Sequence, residues 1–250
     1  MGKVIVIASG KGGTGKTTTA AALSSALAAK KYRVLCIDAD VGLRNMDLCL
    51  GLSEMALPNF CDVIEGRVSL DEAAFQHPSI PSLYFLSAPS LVSPEEIDPE
   101  KMRELLDSAR RSFDFTIIDS PAGIGSGFRL AARFADSAIV ITTSDVPSCR
   151  DVQRTVMELR SLGIEDISLI VNRIRPKLLK KSNQNVDDIV DTVGARLLGL
   201  VPEDRSVILS ANNGIPLINY TTRGAAAAFS RIAGRLLGER IPAGEIKPIL

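Results

Sequence analysis

A doubly wound α/β fold, with a mostly parallel sheet flanked by helices, is what the order of patterns along this chain predicts. Three observations carry that reading. Short runs of continuous apolarity recur along the 250 residues, helix-patterned stretches separate them, and the residues with recognisable chemistry follow directly on the runs. Continuous rather than alternating apolarity marks strands covered on both faces. Strands alternating with helices then imply right-handed crossovers in a parallel sheet. In such a sheet ligands bind at the carboxyl ends of the strands.

Taken in order, the first run is 4–8 (VIVIA), followed by a glycine-rich turn and a helix that starts at about Lys16 and extends over 17–30. The second run, 34–37, ends in acids. The third, 83–86, leads to a helix over 99–111, and the fourth, 115–118, again closes on an acid. Run 138–141 precedes a helix over 150–162, and runs 167–171 and 198–201 complete the sheet. The last helical stretch, 225–237, places Phe229, Ile232, Ala233, Leu236 and Leu237 on one side with arginines opposite, a stripe expected to pack on the sheet, the alternative being contact with a membrane surface.

Composition sets the outer bounds. At 46% hydrophobic and 4% aromatic residues, with no repeat, linker or low-complexity tract, the chain reads as one domain, 1–250, with a core of about 3–237 and a tail, 238–250. Basic and acidic residues both number 29, so no global charge favours nucleic acid. Cys36, Cys49, Cys61 and Cys149 are scattered without the spacing of a zinc or iron–sulfur site. The apolar run near the N-terminus is too short for a signal peptide, and no stretch has membrane-spanning length.

The turn after the first run is Gly10-Lys11-Gly12-Gly13-Thr14-Gly15-Lys16-Thr17-Thr18, which fits GxxxxGK[ST] between a strand and a helix. Its glycines let backbone N–H groups turn inward on a phosphate, Lys16 neutralises β- and γ-oxygens, and Thr17 offers a hydroxyl to magnesium. Lys11 exceeds what phosphate binding needs; it is either a solvated surface lysine or a second functional cation. Asp38 and Asp40, one residue apart at the end of a buried strand, point the same way toward the γ-phosphate if the backbone stays extended, unless one merely caps a helix. Asp119, closing the fourth run, is the usual water-mediated magnesium position, and Gly123 lets a backbone amide approach the γ-phosphate.

GKGGTGKTT resembles the deviant phosphate loop of the MinD/ParA class of ATPases, which are P-loop NTPases of the SIMIBI type. The resemblance implies that Lys11 reaches across a dimer to the partner's ATP, that Asp40 orients the attacking water and that Asp38 lies near magnesium. DSPAGI at 119–124 is similar to the second switch of the MinD branch, and DVGLRNMD at 40–47 to its first. Asn172 and Arg173, with the turn Pro202-Glu203-Asp204, resemble the adenine-binding positions, although Pro-Glu-Asp is also an ordinary helix start. No guanine-reading NKxD pattern occurs.

Carried over as a whole, the resemblance implies a magnesium-dependent ATPase, slow without a partner, that forms a homodimer when ATP-bound. It further implies division-septum placement, with an activator and a division inhibitor as partners. The location it implies is the cytoplasm, with cycling to the inner face of the cell membrane. Two departures stand against a complete match. Gln153, near the partner-contacting Arg150 and Asp151, replaces a common acid, and the tail from Glu239 onward contains Pro242, Gly244 and Pro248 instead of a basic amphipathic helix, leaving membrane association weak or indirect. A flagellar-placement ATPase and a ParA-type partitioning ATPase that binds nonspecific DNA are the alternatives.

Overall fold

The computed structural model describes residues 1–41, 45–52, 57–89, 92–181 and 185–242; expectations about Gly42, Leu43 and Arg44, and about the tail beyond 242, lie outside the described residues. The chain opens with β1 (Lys3–Ala8), α1 (Lys16–Ala29), β2 (Val34–Asp38), α2 (Met46–Leu50), α3 (Phe60–Ile64) and α4 (Leu70–Ala73). It continues through β3 (Phe75–Gln76), β4 (Leu83–Leu86), α5 (Pro99–Ser112), β5 (Phe115–Asp119), α6 (Ser126–Ala132), β6 (Ser137–Thr142) and α7 (Val146–Ser161). The last part comprises β7 (Ile167–Ile174), α8 (Pro176–Lys181), α9 (Val186–Val193), β8 (Arg196–Pro202), α10 (Arg205–Asn212), α11 (Leu217–Tyr220) and α12 (Gly224–Leu236).

The expected fold class is the observed one. All seven apolar runs are strands, and they pair in parallel in the order β4-β2-β5-β1-β6-β7-β8, with β3 added antiparallel at the edge beside β4. β1 therefore lies between β5 and β6, so the order reverses around it and the loop after β1 opens into the crevice that such a switch point creates. Both faces are covered. Val4, Val6, Leu35, Ile37 and Ile118 join one apolar layer with α5 and α7, while Ile5, Ile7, Cys36 and Ile117 join the other with α1 and α12. On α12 Phe229 and Ile232 are 1% exposed, so the stripe read from the sequence faces the sheet; burying each such side chain contributes about 1.5–3 kcal/mol.

One helix boundary differs from expectation. α7 begins at Val146, four residues before 150, because the Asp145 carboxylate accepts the Ser148 N–H and Pro147 is tolerated in a first turn whose N–H groups lack intrahelical partners. β3 was absent from the sequence reading; two residues that pair only with β4 leave no periodic signal.

Candidate nucleotide site

The glycine-rich loop turns between β1 and α1. Gly13 and Gly15 have φ of 77° and 96°, left-handed values that side chains disfavour, and Gly15 caps α1 without a side-chain acceptor. The N-terminus of a fourteen-residue helix is thereby presented with its N–H groups available to an anion. Lys16, the first residue of α1, is buried; burial pushes its ammonium below the usual lysine range, while the charges of Asp119 and Asp40 act in the opposite direction.

Register explains how the acids meet. Asp38 ends β2 and Asp119 ends the neighbouring β5, and the two are Cα partners in the parallel ladder, so their carboxylates emerge side by side. Both are 1% exposed. Burial raises the Asp38 carboxyl to about 6 despite hydrogen bonds from the N–H groups of Asp40 and Met46, and it raises Asp119 to about 7 despite a bond from the Thr17 hydroxyl. Asp40 is also raised by burial, with Lys16 opposing, and its N–H donates to Asp38 Oδ1 at 3.0 Å. Among the described residues Asp119 Oδ1 has no hydrogen-bond partner. A buried carboxylate oxygen without a donor is costly unless something positive reaches it. No group of three or more His, Cys, Asp or Glu placed to hold a metal occurs among the described residues. The hydroxyl of Thr17 and the carboxylates of Asp38 and Asp119, one of whose oxygens has no donor among the described residues, are nonetheless the hard oxygen donors that would suit magnesium, an ion that keeps waters and shares substrate phosphate oxygens.

Around this centre the rim residues are engaged within the chain. Lys11 Nζ lies 3.0 Å from Asp145 Oδ1, and the Gly123 N–H donates to Ser9 O at 3.3 Å. Asn172, 5% exposed on β7, donates from Nδ2 to Thr14 O at 2.8 Å and accepts the Arg173 N–H at 2.9 Å, which fixes its amide orientation against the loop. One Nδ2 hydrogen and one Oδ1 lone pair remain for a base edge. Arg173 reaches Gly13 O and pairs with Glu203, which also pairs with Arg175. Asp204 caps α10 through Ser206 and accepts the Ala225 N–H at 2.9 Å, so its carboxylate serves local structure while the turn itself borders the cleft. That cleft, about 450 Å³, runs from Lys16, Thr17 and Thr18 past Asn172 to Pro202, Glu203 and Asp204. Its size suits a nucleotide.

The pattern of the CobQ/CobB/MinD/ParA nucleotide binding domain matches residues 5–217. The chain belongs to this family. Within the family it is 41% identical over 244 residues to the septum site-determining protein MinD of Synechocystis, covering 97% of this chain and 92% of that one. It is 39% identical to MinD of Bacillus subtilis, with 97% and 91% covered. Among solved structures, the MinC:MinD cell division protein complex of Aquifex aeolicus superposes with a TM-score of 0.90 at 38% identity over 97% of this chain and 98% of that one. MinD of Pyrococcus horikoshii complexed with Mg-ADP gives 0.84 at 30% identity, with 94% and 96% covered. The resemblance of the loop and switches to the MinD branch thus extends over nearly the whole chain. Members of this family are P-loop ATPases.

Sequence reasoning missed the partners of its own residues. Asp145 and Thr143 follow β6, Ser9 precedes the loop, and Arg175 follows β7; none belongs to a motif, and each meets the site through strand order. A capping acid two residues before a proline was the available sign for Asp145. Gly10 faces the backbone of Asp151, where an added Cβ would stand 2.4 Å from the carbonyl carbon, so α7 is seated directly against the loop.

Proposed function

We propose that the chain is an ATP-dependent dimerisation switch of the MinD kind that hydrolyses ATP and acts in placing the division septum. The observation that carries this reading is the junction of Lys16, Thr17, Asp38, Asp40 and Asp119 at the strand ends with a second lysine, Lys11, on the loop's outer rim. A hydrolase that works alone has no use for that second cation.

In this reading the loop amides and Lys16 hold the phosphates, and Asn172 with the 202–204 turn holds adenine. Magnesium, when bound with the nucleotide, supplies charge neutralisation at the β- and γ-oxygens. Thr17, Asp38 and Asp119 are the residues that would hold it, directly or through water. Asp40 orients the attacking water, and Lys11 enters the partner's site to stabilise charge that develops on the transferred phosphoryl group. Turnover is slow until a partner completes the arrangement. The MinC:MinD complex of the Aquifex relative supports a MinC-type division inhibitor as partner, with Gln153 as a departure at the contact helix. We place the protein in the cytoplasm, cycling to the inner membrane face weakly or through a partner.

Asp40→Ala should keep ATP binding, accumulate the ATP dimer and lose about 100-fold or more in turnover, in line with removal of a water-activating group. Sedimentation with anionic liposomes, beside DNA retention at several salt concentrations, separates the alternatives. ATP-dependent liposome binding favours the septum-placement role. Salt-sensitive, ATP-dependent DNA retention instead favours a partitioning ATPase. Normal turnover by the variant would remove Asp40 from its assigned role.

A further inference from the structure

We propose that Asp145 is a positioning residue that holds Lys11 within its own subunit until a nucleotide-bearing second copy takes the lysine. The inference rests on the trans role of Lys11. Its basis is the network at the start of α7. Asp145 Oδ1 accepts both the Lys11 ammonium at 3.0 Å and the Ser148 N–H at 3.0 Å, and Oδ2 accepts the Thr143 hydroxyl. Helix cap and hydroxyl together fix where the carboxylate points, so it offers a defined site to a flexible lysine. The hydrogen bonds from Thr143, Lys11 and Ser148 outweigh burial and hold the Asp145 carboxyl below the usual range, so it is charged at neutral pH.

The pair is built to exchange. Its side chains are 38% and 48% exposed, and an exposed ion pair contributes a factor of only a few to an equilibrium. When Lys11 leaves, Asp145 keeps two donors in Thr143 and Ser148, so no bare charge is left behind. The hollow between Lys11, Asp145, Arg173 and Glu203 has a volume of about 360 Å³, which leaves Lys11 room to swing. Gly123 repeats the arrangement. Its N–H, the other group assigned to the γ-phosphate, is held on Ser9 O, and Ser9 Oγ in turn donates to Lys11 O at 2.8 Å. Lys11 and the Gly123 N–H thus each have an acceptor within the chain that they must give up to reach a γ-phosphate.

The test is self-association of the full chain, measured by sedimentation equilibrium with a slowly hydrolysed ATP analogue and magnesium. Asp145→Asn and Asp145→Ser both retain a helix-capping oxygen and remove the charge. Each should associate at about two- to fivefold lower protein concentration, the range of an exposed ion pair. Lys11→Ala added to Asp145→Asn should abolish the gain. Unchanged or weaker association of both charge-removing variants would overturn the holding role. Normal association of Lys11→Ala alone would overturn the trans role itself, a distinct result read from a different protein.

Discussion

The acidic floor of the site and its rim solve opposite problems. Asp38 and Asp119 are buried beside each other with carboxyls raised by burial, and one Asp119 oxygen has no donor among the described residues, so the charged floor is destabilising unless a cation offsets it. On the rim, Lys11 with Asp145 and Glu203 with Arg173 and Arg175 are satisfied within the chain and partly exposed. In the proposed function, a floor that is expensive to leave without a cation would favour magnesium and nucleotide, because binding would remove the penalty. Cheaply exchanged rim pairs confer switching. Substitutions on the floor should have large effects on both stability and binding, and those on the rim small ones.

The largest expected effect lies between the acids. Lys16→Ala removes the cation that serves the phosphates and offsets Asp40 and Asp119, so ATP affinity should fall by at least about 100-fold, as for loss of a charge-assisted contact of about 3 kcal/mol. Isothermal calorimetry gives the answer, and unchanged affinity would remove Lys16 from the phosphate site.

Asp119→Asn sharpens the contrast, because it should damage function while stabilising the empty protein. The sign follows from the direction of the shift. In the unfolded chain this carboxyl titrates near 3.8 and in the fold near 7, so between those values the native state binds the extra proton and stability falls as pH rises. The full penalty is present above pH 7. Removing it should raise the stability of the magnesium-free, nucleotide-free protein at pH 8 by up to about 4 kcal/mol, an increase that vanishes below about pH 4. Magnesium-dependent turnover should be lost. Denaturant unfolding across that pH range checks the first claim and phosphate release the second; a destabilised variant at pH 8 would mean that the Asp119 charge is already compensated.

The floor was also the part most legible in the sequence. Continuous apolar runs gave the strands, and GKGGTGKTT, DAD and DSPAG each lie within a few residues of a strand end, so local spacing was enough to place them. What spacing could not supply was register: that Asp38 and Asp119 are ladder partners depends on β2 pairing with β5, which no local pattern encodes. The rim was less legible for the same reason. Lys11 and Asp145 are 134 positions apart, and their contact needs β6 beside β1. The first turn of α7, from Val146, lay outside the helix read over 150–162, whereas the other proline-containing start, at Pro99, was read in place.

Glu203→Gln, on the rim, is the smallest of these effects and the sharpest check on the comparison. Glu203 accepts from Arg175 first and Arg173 second, which hold its carboxyl at about 2, so the clamp is fully present above the ordinary value of 4.5 and is lost as pH falls through about 2. Its side chain is 31% exposed and those of the arginines 53% and 58%, so screening limits the clamp to about 0.2–1 kcal/mol. The variant should melt within a few degrees of wild type at pH 7, and the difference should shrink on acidification toward pH 2. ATP affinity should change less than about threefold, because Arg173 keeps its bond to Gly13 O and the 202–204 turn keeps the Asp204 cap. A tenfold loss would instead place Glu203 in direct contact with the nucleotide, and the division between a costly floor and an inexpensive rim would then have to be redrawn inside the adenine cleft.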